Sequence, residues 1–381
     1  MSNNENFDLT YITIDSVSEG VGSSQIAPLI ARLSKSGLKI NLISYEKSKP
    51  SSELQEYFKS LGATWNPRSF GKFGILGGVE RLNNLRREIP QSNLIHARSD
   101  IPAVSGVASR KAPVLWDVRS LWADQKVMIQ KNLANKTLYR SYRKLESIAS
   151  HQSLGMSTLT SAVLPVLAER NGQLPLLRTV VPTAVDLVRF QLSPKVPTKM
   201  RALFSGTYND YYDLRISALF MDELRSQFET ETHWARPRES NKEHIDVGEE
   251  MVFSASQNEM AQLIPNYSFG VSVCKLNAGP SLTAAMPTKI GEFLACGRPI
   301  VVNKGLGDMD SLIKEFDVGV ILDGDPVHLK QSATQLIELI LDPETPLRCR
   351  ALAEKYFSMD VGANRYLNLY SKMLSSNPSN K

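Results

Sequence analysis

Two charged residues, Lys289 and Glu292, lie at a helix start where their types and spacing suggest a binding function. Residues 287–302 read PTKIGEFLACGRPIVV, a Pro-Thr opening, a short helix with apolar residues three and four apart, and a buried strand. A cation in the first helical turn opposes the helix macrodipole, but it becomes favourable when an anion binds beside the free N–H groups. Lys289 is therefore a candidate phosphate ligand, Thr288 begins the helix, and Glu292 is a candidate acceptor of hydrogen bonds from ribose hydroxyls.

Two purely structural explanations compete with this ligand hypothesis. A capping box on Thr288 requires an acidic or amide residue at position 291, which is a glycine. A surface ion pair between Lys289 and Glu292 is the second explanation, and it would contribute only about 0.2–0.5 kcal/mol. We therefore predict that the two side chains bind a ligand.

Polar residues also follow two strand-like segments of the N-terminal half, at 94–96 and 114–117. Asp117 could orient or deprotonate an acceptor hydroxyl, and Arg119 could hold a phosphate. A structural Asp117–Arg119 pair explains the same residues nearly as well. His96 and Arg98 end the neighbouring strand and are weaker candidates for acceptor or phosphate contact, because a lone histidine is more often structural.

The loop after the first predicted strand contains Gly20, Gly22 and Ser23 and could bring backbone N–H groups to a phosphate or an acceptor. It is a poor dinucleotide fingerprint, because its third glycine is replaced by Gln25. Glu46 nevertheless ends the second strand where a ribose ligand of NAD would lie, so a nicotinamide dehydrogenase remains a distant alternative. A simple loop that leads into a helix is as good an interpretation.

No cluster of histidine and acidic residues has the spacing of metal ligands, and we expect neither a metal ion nor another cofactor. The three cysteines are too scattered for a disulfide framework or a zinc site. Buried thiols in a reducing compartment are the expected state; these are Cys274, Cys296 and Cys349.

The elements that must position these candidates alternate between strand and helix throughout the chain, which predicts an α/β fold with parallel sheets. Ligands of such sheets bind at the carboxyl ends of the strands. We predict two doubly wound, Rossmann-like domains that face each other across a cleft. The predicted bounds are 1–186 for an acceptor-side domain, 187–199 for a linker with two prolines, 200–357 for a donor domain, and 358–381 for a C-terminal helix and tail that pack back on the first domain.

The PTKIGEFLACGRP stretch resembles the donor-site motif of retaining GT-B glycosyltransferases of the family-4 type, also called glycosyl transferases group 1. Weaker similarities occur in the same order as in that family, at residues 23–47, 116–124, 180–190, 204–214 and 305–310. The resemblance implies a nucleotide-sugar donor bound without a divalent metal by Gly206, Thr207, Thr288, Lys289 and Glu292. Our candidate catalytic residues are Lys289, Asp117 and Arg119.

The chain departs from the family pattern at two places. Many members have a second glutamate eight positions before the ribose-binding one, where this chain has Ala284. The usual arginine and lysine for the donor diphosphate are also missing after Gly206, where Asn209, Tyr211 and Tyr212 follow and Arg215 is the nearest cation. Lys289 and helix N-termini must then meet the phosphate charge, with Arg119 or Arg236 as further candidates.

The charge of the chain is uneven. The net charge is +5, but residues 1–190 carry 24 lysines and arginines against 15 acidic residues, and the remainder carries 20 against 24. A solvated surface explains such runs most simply, whereas an anionic membrane or a phosphate-bearing acceptor is the sharper hypothesis. Nucleic acid is not expected, since no reader motif accompanies the charge. The basic residues of this half are Arg81, Arg86, Arg87, Lys126, Lys131, Lys136, Arg140, Arg143 and Lys144.

The sequence thus predicts a cytoplasmic glycosyltransferase that acts at the inner face of the cytoplasmic membrane. The polar N-terminus is unlike a signal peptide, and no apolar window is long enough to span a bilayer. The expected acceptor is a growing cell-surface polysaccharide or a glycolipid. A GT-B-type sugar-nucleotide epimerase and a non-catalytic nucleotide-sugar binding protein remain alternatives, the latter because of Ala284.

Overall fold

The computed structural model describes residues 6–72, 74–129, 134–195, 197–206, 211–236, 247–248 and 250–376. The chain divides into two compact units. The first unit contains residues 1–181 and 362–381, and the second contains residues 182–361. The division after Val181 precedes the predicted boundary at 186 by a few residues.

Seven parallel strands form the sheet in the described part of the first unit. They are β1 (Phe7–Ile12), β2 (Ile40–Glu46), β3 (Thr64–Ser69), β4 (Ser92–Arg98), β5 (Val114–Val118), β6 (Gly155–Thr158) and β7 (Leu177–Val180). Their order is β3-β2-β1-β4-β5-β6-β7, so the direction in which strands are added reverses between β1 and β4. This is the doubly wound arrangement, in which ligands bind at the carboxyl ends of the strands near that reversal.

Helices connect these strands, and the last helix of the chain joins the same unit. The helices are α1 (Ala27–Lys35), α2 (Ser52–Ser60), α3 (Gly74–Glu88), α4 (Asp100–Ser109), α5 (Trp122–Ile129), α6 (Ala134–Gln152), α7 (Val163–Asn171) and α15 (Met359–Ser376). Residues from Gly362 onward in α15 belong to the first unit. There Tyr366, Tyr370 and Met373 are all less than 5% exposed, so an apolar face of α15 is part of the core.

The described part of the second unit contains a sheet of six parallel strands in the order β10-β9-β8-β11-β12-β13. The strands are β8 (Met200–Ser205), β9 (Thr230–Ala235), β10 (Met251–Phe253), β11 (Phe269–Ser272), β12 (Ile300–Asn303) and β13 (Gly319–Leu322). The helices are α8 (Leu214–Gln227), α9 (Gln257–Leu263), α10 (Pro280–Thr283), α11 (Thr288–Ala295), α12 (Met309–Phe316), α13 (Pro326–Leu341) and α14 (Thr345–Leu352). The strand order repeats that of the first unit, with the reversal between β8 and β11.

The core of the second unit explains why these segments form strands and helices. Phe204, Phe269, Val271 and Val301 are at most 1% exposed on the central strands, where side chains on both faces of the sheet are covered. Parallel strands buried on both faces read as continuous apolar runs, and those runs are the segments predicted as strands from the sequence. The α/β class and the two doubly wound sheets are confirmed.

Strands that lack a continuous run of apolar residues were not predicted from the sequence. β3 carries Pro67 and is partly exposed at the edge of its sheet, where proline is tolerated because no inner ladder needs its N–H. β9 reads TETHWA, with polar residues between the buried ones. The long polar and basic stretch at about 123–150 forms two helices, α5 and α6.

The segment predicted as a linker is attached to the second unit by a buried arginine. Arg298 is 1% exposed, and it donates hydrogen bonds to the carbonyl oxygens of Ser193, Lys195 and Pro265 at 2.7–3.0 Å. Arg350 donates to the carbonyl of Phe190 at 2.9 Å. Because several guanidinium hydrogen bonds hold its backbone, this part of the chain belongs to the second unit.

Candidate donor site and buried polar network

The helix α11 carries the candidate donor residues, and its burial fixes which way they face. Ile290, Phe293 and Leu294 are at most 1% exposed, so the apolar face predicted from the sequence lies in the core. Pro287 precedes the first helical residue, Thr288, and no side chain in the described part of the chain caps this end. The N–H groups of a first turn have no intrahelical partner, so this end of α11 can bind an anion. Thr288 is partly buried at this end.

Lys289 is buried, with 8% of its surface exposed. Its Nζ lies 4.4 Å from the centre of the Tyr212 ring, a cation–π distance. A Cβ built on Gly206 would lie 3.8 Å from the same Nζ, which places the ammonium beside the carboxyl end of β8. Burial lowers the pKa of Lys289 to about 8, although the neighbouring Cys274 and Glu292 act in the opposite direction.

No salt bridge within 4 Å joins Lys289 to an acidic side chain in the described residues, Glu292 included. The surface ion pair between Lys289 and Glu292 that the sequence suggested is therefore absent, and no carboxylate of the described residues neutralises the buried ammonium at close range. A buried charge without a counter-ion is costly, and such residues concentrate at sites that bind a charged ligand.

Glu292 follows one turn later in α11 and is partly buried. Burial raises the pKa of its carboxyl to about 6, although Gln257 and the positive charges of Lys289 and Arg189 act in the opposite direction. Most of the carboxyl is thus ionised at neutral pH.

Gly206 directly follows β8 with φ +95°, a conformation that favours glycine. Its N–H donates to the carbonyl of Ala235 at 2.9 Å, and the Trp234 indole donates to its carbonyl at 3.3 Å. The backbone thus turns sharply beside Lys289. Thr207, predicted to bind the donor, lies outside the described residues, as does Asn209.

Ala284, where the resembling family often has a second glutamate, is 3% exposed just after α10. The position is occupied by a buried methyl group, so it supplies no carboxylate to the site.

In the first unit, Asp117 is the centre of a buried hydrogen-bond network at the carboxyl end of β5. It is 1% exposed, and Ser157 Oγ and Tyr366 Oη donate to its Oδ1 at 2.7 and 3.1 Å. Arg119 Nε donates to Oδ2 at 2.6 Å. Burial alone would raise the pKa of Asp117, but Arg119, His96 and Arg98 together hold it well below its usual range. A carboxylate engaged in this way is a poor base, which argues against a role of Asp117 in deprotonating an acceptor; that role stays a prediction.

Arg119 is equally engaged, because its guanidinium also donates to the Tyr366 hydroxyl and to the carbonyl of Val181. These contacts favour the structural Asp117–Arg119 pair, one of the two explanations that the sequence left open. Tyr366 belongs to α15, so the network anchors the last helix on the sheet of the first unit.

His96 belongs to the same network and is fully buried. Its Nδ1 lies 2.6 Å from Tyr370 Oη, and its Nε2 lies 3.2 Å from Asp117 Oδ2 without the alignment of a hydrogen bond. Burial lowers the pKa of His96, although Asp117 acts in the opposite direction, so the ring is neutral. A hydrogen on Nε2 faces the carboxylate most favourably, and Nδ1 then accepts from Tyr370.

Arg98 is 4% exposed and donates from Nε to Asp15 Oδ2 at 2.8 Å. Asp15 lies in the loop after β1, so this ion pair joins the ends of two adjacent strands. His96 and Arg98 therefore support the strand ends. Both side chains are buried, so neither exposes a group that could contact an acceptor or a phosphate as predicted.

The loop after β1 is held by Glu46, which is 3% exposed. Ser16 Oγ, Ser18 Oγ and Ser44 Oγ donate to its carboxylate at 2.5–2.6 Å, and Val17 N donates at 2.9 Å. Burial alone would raise the pKa of Glu46, but these hydrogen bonds lower it. Since the loop itself engages Glu46, the structure argues against its use as a ribose ligand of NAD.

Gly22 is required by packing in this loop. A Cβ at Gly22 would lie 1.8 Å from the carbonyl oxygen of Ser16, so the glycine allows close approach of two backbone segments. Ser23 Oγ donates to the carbonyl of Gly20 at 2.9 Å, and Ser23 itself is partly exposed. Close packing of the backbone thus explains Gly22, whereas the role predicted for Ser23 stays a prediction.

The structure therefore groups the predicted residues within each unit. Thr288, Lys289, Glu292 and Gly206 lie together in the second unit, and His96, Arg98, Asp117 and Arg119 form one network in the first. The sequence did not indicate the roles of Tyr212, Gln257 and Arg189. Only the position of Tyr212 was noticeable in the sequence, because it lies after Gly206, in the segment where the resembling family has its arginine and lysine.

Among the residues whose positions are described, no group of three or more His, Cys, Asp and Glu side chains could hold a metal ion. Within the same residues, no helix is long and apolar enough to cross a membrane. Of the nine basic residues named in the sequence analysis, Arg86, Arg87, Arg140 and Lys144 are exposed. Lys131 and the side chains of Lys126 and Lys136 lie outside the description.

Two arginines of that basic set have structural roles. Arg81 is 7% exposed and donates to the carbonyls of Phe70 and Lys72 at 2.8–2.9 Å. Arg143 pairs with the buried Glu146. Neither guanidinium is free to face an anionic partner, so the exposed basic surface is smaller than the sequence suggests.

Solved structures with a similar fold cover nearly the whole chain. Sucrose-phosphate synthase from Thermosynechococcus elongatus is 12% identical with a TM-score of 0.67, covering 97% of this chain and 99% of that one. Anabaena HepE in complex with UDP and glucose is 13% identical with a TM-score of 0.66, covering 96% and 100%. A glycosyltransferase from Rickettsia africae is 13% identical with a TM-score of 0.68, covering 98% and 100%.

No protein-family model and no curated protein matches the chain by sequence. At identities this low, the likeness to solved structures establishes the architecture, and it agrees with the strand order of both sheets. The chain has the GT-B fold of glycosyltransferases.

Proposed function

We propose that this protein is a glycosyltransferase that takes a sugar from a nucleotide-sugar donor bound in its second unit. The observation that carries the proposal is the buried Lys289 beside Gly206, with no acidic partner in the described residues and at the uncapped end of α11. A diphosphate supplies the missing counter-charge, and the first-turn N–H groups of α11 add hydrogen bonds.

In this proposal, Glu292 accepts hydrogen bonds from the two ribose hydroxyls of the donor. Its carboxyl is ionised at neutral pH because its pKa is about 6, and a carboxylate offers acceptor sites for both hydroxyls. The HepE structures with UDP and with UDP-glucose support a nucleotide-sugar as the class of donor.

Charge develops on the departing diphosphate as the glycosidic bond breaks, and a fixed ammonium in a low-dielectric site stabilises it. We propose that Lys289 has this catalytic role and that the reaction needs no metal. We also propose retention of anomeric configuration and membership of the family-4 type, on the motif at 287–299. The proposed acceptor is a cell-surface polysaccharide or a glycolipid.

A nucleotide-sugar binding protein without turnover is the second candidate, because Ala284 replaces a carboxylate of the resembling family by a buried methyl group. The two candidates differ in release of nucleoside diphosphate from a bound nucleotide-sugar, which only the transferase performs. An epimerase of the same fold would convert the sugar nucleotide without transferring its sugar to an acceptor.

The test is a thermal-shift panel of nucleoside diphosphates and their sugar esters. A ligand at about 100 times its Kd stabilises a protein by about 2.7 kcal/mol, which raises Tm by roughly 5–10 °C for a unit of this size. We expect one base to give this shift, and Glu292→Ala to weaken binding about tenfold or more, since it removes charged hydrogen bonds. Glu338→Ala, an exposed position on α13, is the control. If no nucleotide shifts Tm, the proposed donor site is wrong.

We further propose that the first unit contacts an anionic membrane peripherally through the exposed Arg86, Arg87, Arg140 and Lys144. Their charge supports an electrostatic attraction that weakens as salt screens it. Cytoplasmic action at the inner face of the membrane is the corresponding location.

A further inference from the structure

Two residues of the connection between β8 and α8 lie against the Lys289 ammonium. The centre of the Tyr212 ring is 4.4 Å from Nζ, and a Cβ built on Gly206 would be 3.8 Å from the same atom. Gly206 directly follows β8, and Tyr212 comes just before Asp213, the residue that caps α8. Both ends of this connection are therefore in contact with one cation of α11.

Backbone hydrogen bonds fix Tyr212 at the end of β11. Tyr212 pairs with Cys274 in an antiparallel bridge, and Asp213 N donates to the carbonyl of Val273 at 3.0 Å. Asp213 Oδ1 also accepts a hydrogen bond from the N–H of Ile216 at 3.0 Å, which satisfies one of the free N–H groups at the start of α8. The backbone of Tyr212 is thus held by the sheet and by α8, independently of any ligand.

The titratable groups that face Lys289 do not balance its charge at close range. Besides Tyr212, they are Cys274 after β11 and Glu292 on α11. Burial raises the pKa of the Cys274 thiol to about 12, so the thiol is neutral at pH 7. Burial also raises the pKa of the Tyr212 hydroxyl well above its ordinary value, and Glu292 forms no salt bridge with Lys289 among the described contacts. The face of the Tyr212 ring is therefore the group that offsets the positive charge at contact distance.

We propose that Tyr212 is a positioning residue that holds the Lys289 ammonium beside Gly206 through the face of its ring. The negative face of an aromatic ring attracts a cation without cancelling its charge. A carboxylate at the same place would form an ion pair that a diphosphate would have to displace. The inference rests on the proposed function only in that Lys289 is taken to meet the donor diphosphate, and the ring contact itself is a property of the empty protein.

Loss of the ring should make Lys289 more acidic. A cation–π contact of this kind favours the charged form about fivefold, so Tyr212→Leu should lower the Lys289 pKa from about 8 by about 0.7 pH unit. Tyr212→Phe keeps the ring and should keep the pKa, which separates the ring from the hydroxyl. Tyr57→Leu, at a tyrosine of α2 that is 42% exposed, is the matched control and should leave the Lys289 pKa unchanged.

The direct experiment is a pH titration by NMR of lysines labelled with ¹³C at Cε, in the ligand-free protein. The Lys289 signal is assigned from its absence in Lys289→Met. We expect a lower Lys289 pKa in Tyr212→Leu and the wild-type value in Tyr212→Phe. An unchanged pKa in Tyr212→Leu overturns the proposal. An equal fall in Tyr212→Phe also overturns it, because the hydroxyl and not the ring would then hold the ammonium.

A second set of variants decides the question if Tyr212→Leu does not fold. Tyr212→Phe is prepared with phenylalanine that carries one, two or three ring fluorines, which weaken the negative face while the shape of the ring stays nearly the same. We expect the Lys289 pKa to fall stepwise along this series. A constant pKa up to the trifluorinated ring refutes the proposal.

Binding measurements separate failure of the ring contact from failure of the proposed function. Affinities for UDP, GDP and ADP are measured by calorimetry from pH 6.5 to pH 9.5 for the wild type and Tyr212→Leu. Since a diphosphate requires the protonated ammonium, the alkaline loss of affinity should begin about 0.7 pH unit lower in the variant. Binding that keeps the wild-type pH profile refutes the role of Tyr212 while the donor site stands. If none of the three binds the wild-type protein, the donor site fails for these bases, and the Lys289 titration in the empty protein still decides the ring contact.

Discussion

Replacing Lys289 with methionine should stabilise the empty protein while abolishing its response to a donor. Lys289 is 8% exposed, and its pKa falls from an ordinary 10.5 to about 8 because burial disfavours the charge. At about 1.4 kcal/mol per pKa unit, holding the ammonium in the folded protein at pH 7 costs about 3 kcal/mol. Methionine has a similar helix propensity and fills a similar volume.

The gain is smaller than this cost, because the variant also loses the contact of Nζ with the Tyr212 ring, worth about 1 kcal/mol. A net gain of about 2 kcal/mol corresponds to a rise in Tm of roughly 4–8 °C for a unit of this size. Because the folded pKa lies below the unfolded one, the destabilisation by Lys289 is fully present below about pH 8. It fades as pH rises toward 10.5, so the advantage of the variant should fade over the same range.

The assay is thermal unfolding of the wild type and Lys289→Met from pH 6.5 to pH 10, each with and without the nucleoside diphosphate that stabilises the wild type. Lys314→Met, an exposed lysine on α12, is the matched control and should change neither Tm nor the ligand response. A lower Tm for Lys289→Met at pH 7, or an undiminished ligand response, would refute the reasoning. Turnover should fall by orders of magnitude in the same variant, because charge grows on the leaving diphosphate.

Three further outcomes are expected. The affinity for a nucleoside diphosphate should depend on pH with a bell-shaped profile. It should fall below about pH 6 as Glu292 is protonated and above about pH 8 as Lys289 loses its proton. Calorimetry across this pH range measures the affinity, and a flat profile contradicts both assignments. Asp117→Asn should destabilise the protein by about 3–5 kcal/mol, because it leaves buried cations unpaired. Chemical denaturation measures this loss of stability. Unchanged stability together with lost turnover would instead support Asp117 as the base that deprotonates the acceptor. Flotation with anionic liposomes should fall on Arg140→Glu with Lys144→Glu and in high salt, whereas equal binding to neutral liposomes removes the electrostatic argument.

Much of the fold could be read from the sequence because the central strands are apolar throughout. Segments such as 269–274 and 299–302 are buried on both faces of a parallel sheet, and burial requires a composition that the sequence displays directly. The edge strands β3 and β10 are partly exposed, so no apolar run marks them. Their strand state depends on hydrogen bonds to a neighbouring strand, which local sequence does not encode.

The motif at 287–302 also located the candidate donor site, since a lysine in the first turn of an apolar helix conflicts with the helix dipole. That conflict is local, and it is visible in the order of residues alone. The position of Asp117 and Arg119 at a strand end also suggested chemistry, but in the structure both side chains make hydrogen bonds to other parts of the first unit. Their partners Ser157 and Tyr366 lie about 40 and 249 residues from Asp117 in the sequence, too far for any local pattern to show that the carboxylate is already occupied.

The sequence by itself determined the α/β class, the repeated alternation of strand and helix, and the helix on which Lys289 and Glu292 lie one turn apart. These features follow from periodicity and from the few residues of one helical turn. Only the tertiary structure decided the environment of each charge: that Lys289 lacks an acidic partner in the described residues and lies over Tyr212, and that Glu46 is engaged by its own loop. Burial and hydrogen-bond partners come from segments distant in the chain, and they determine whether a charged side chain remains available to a ligand or already supports the fold.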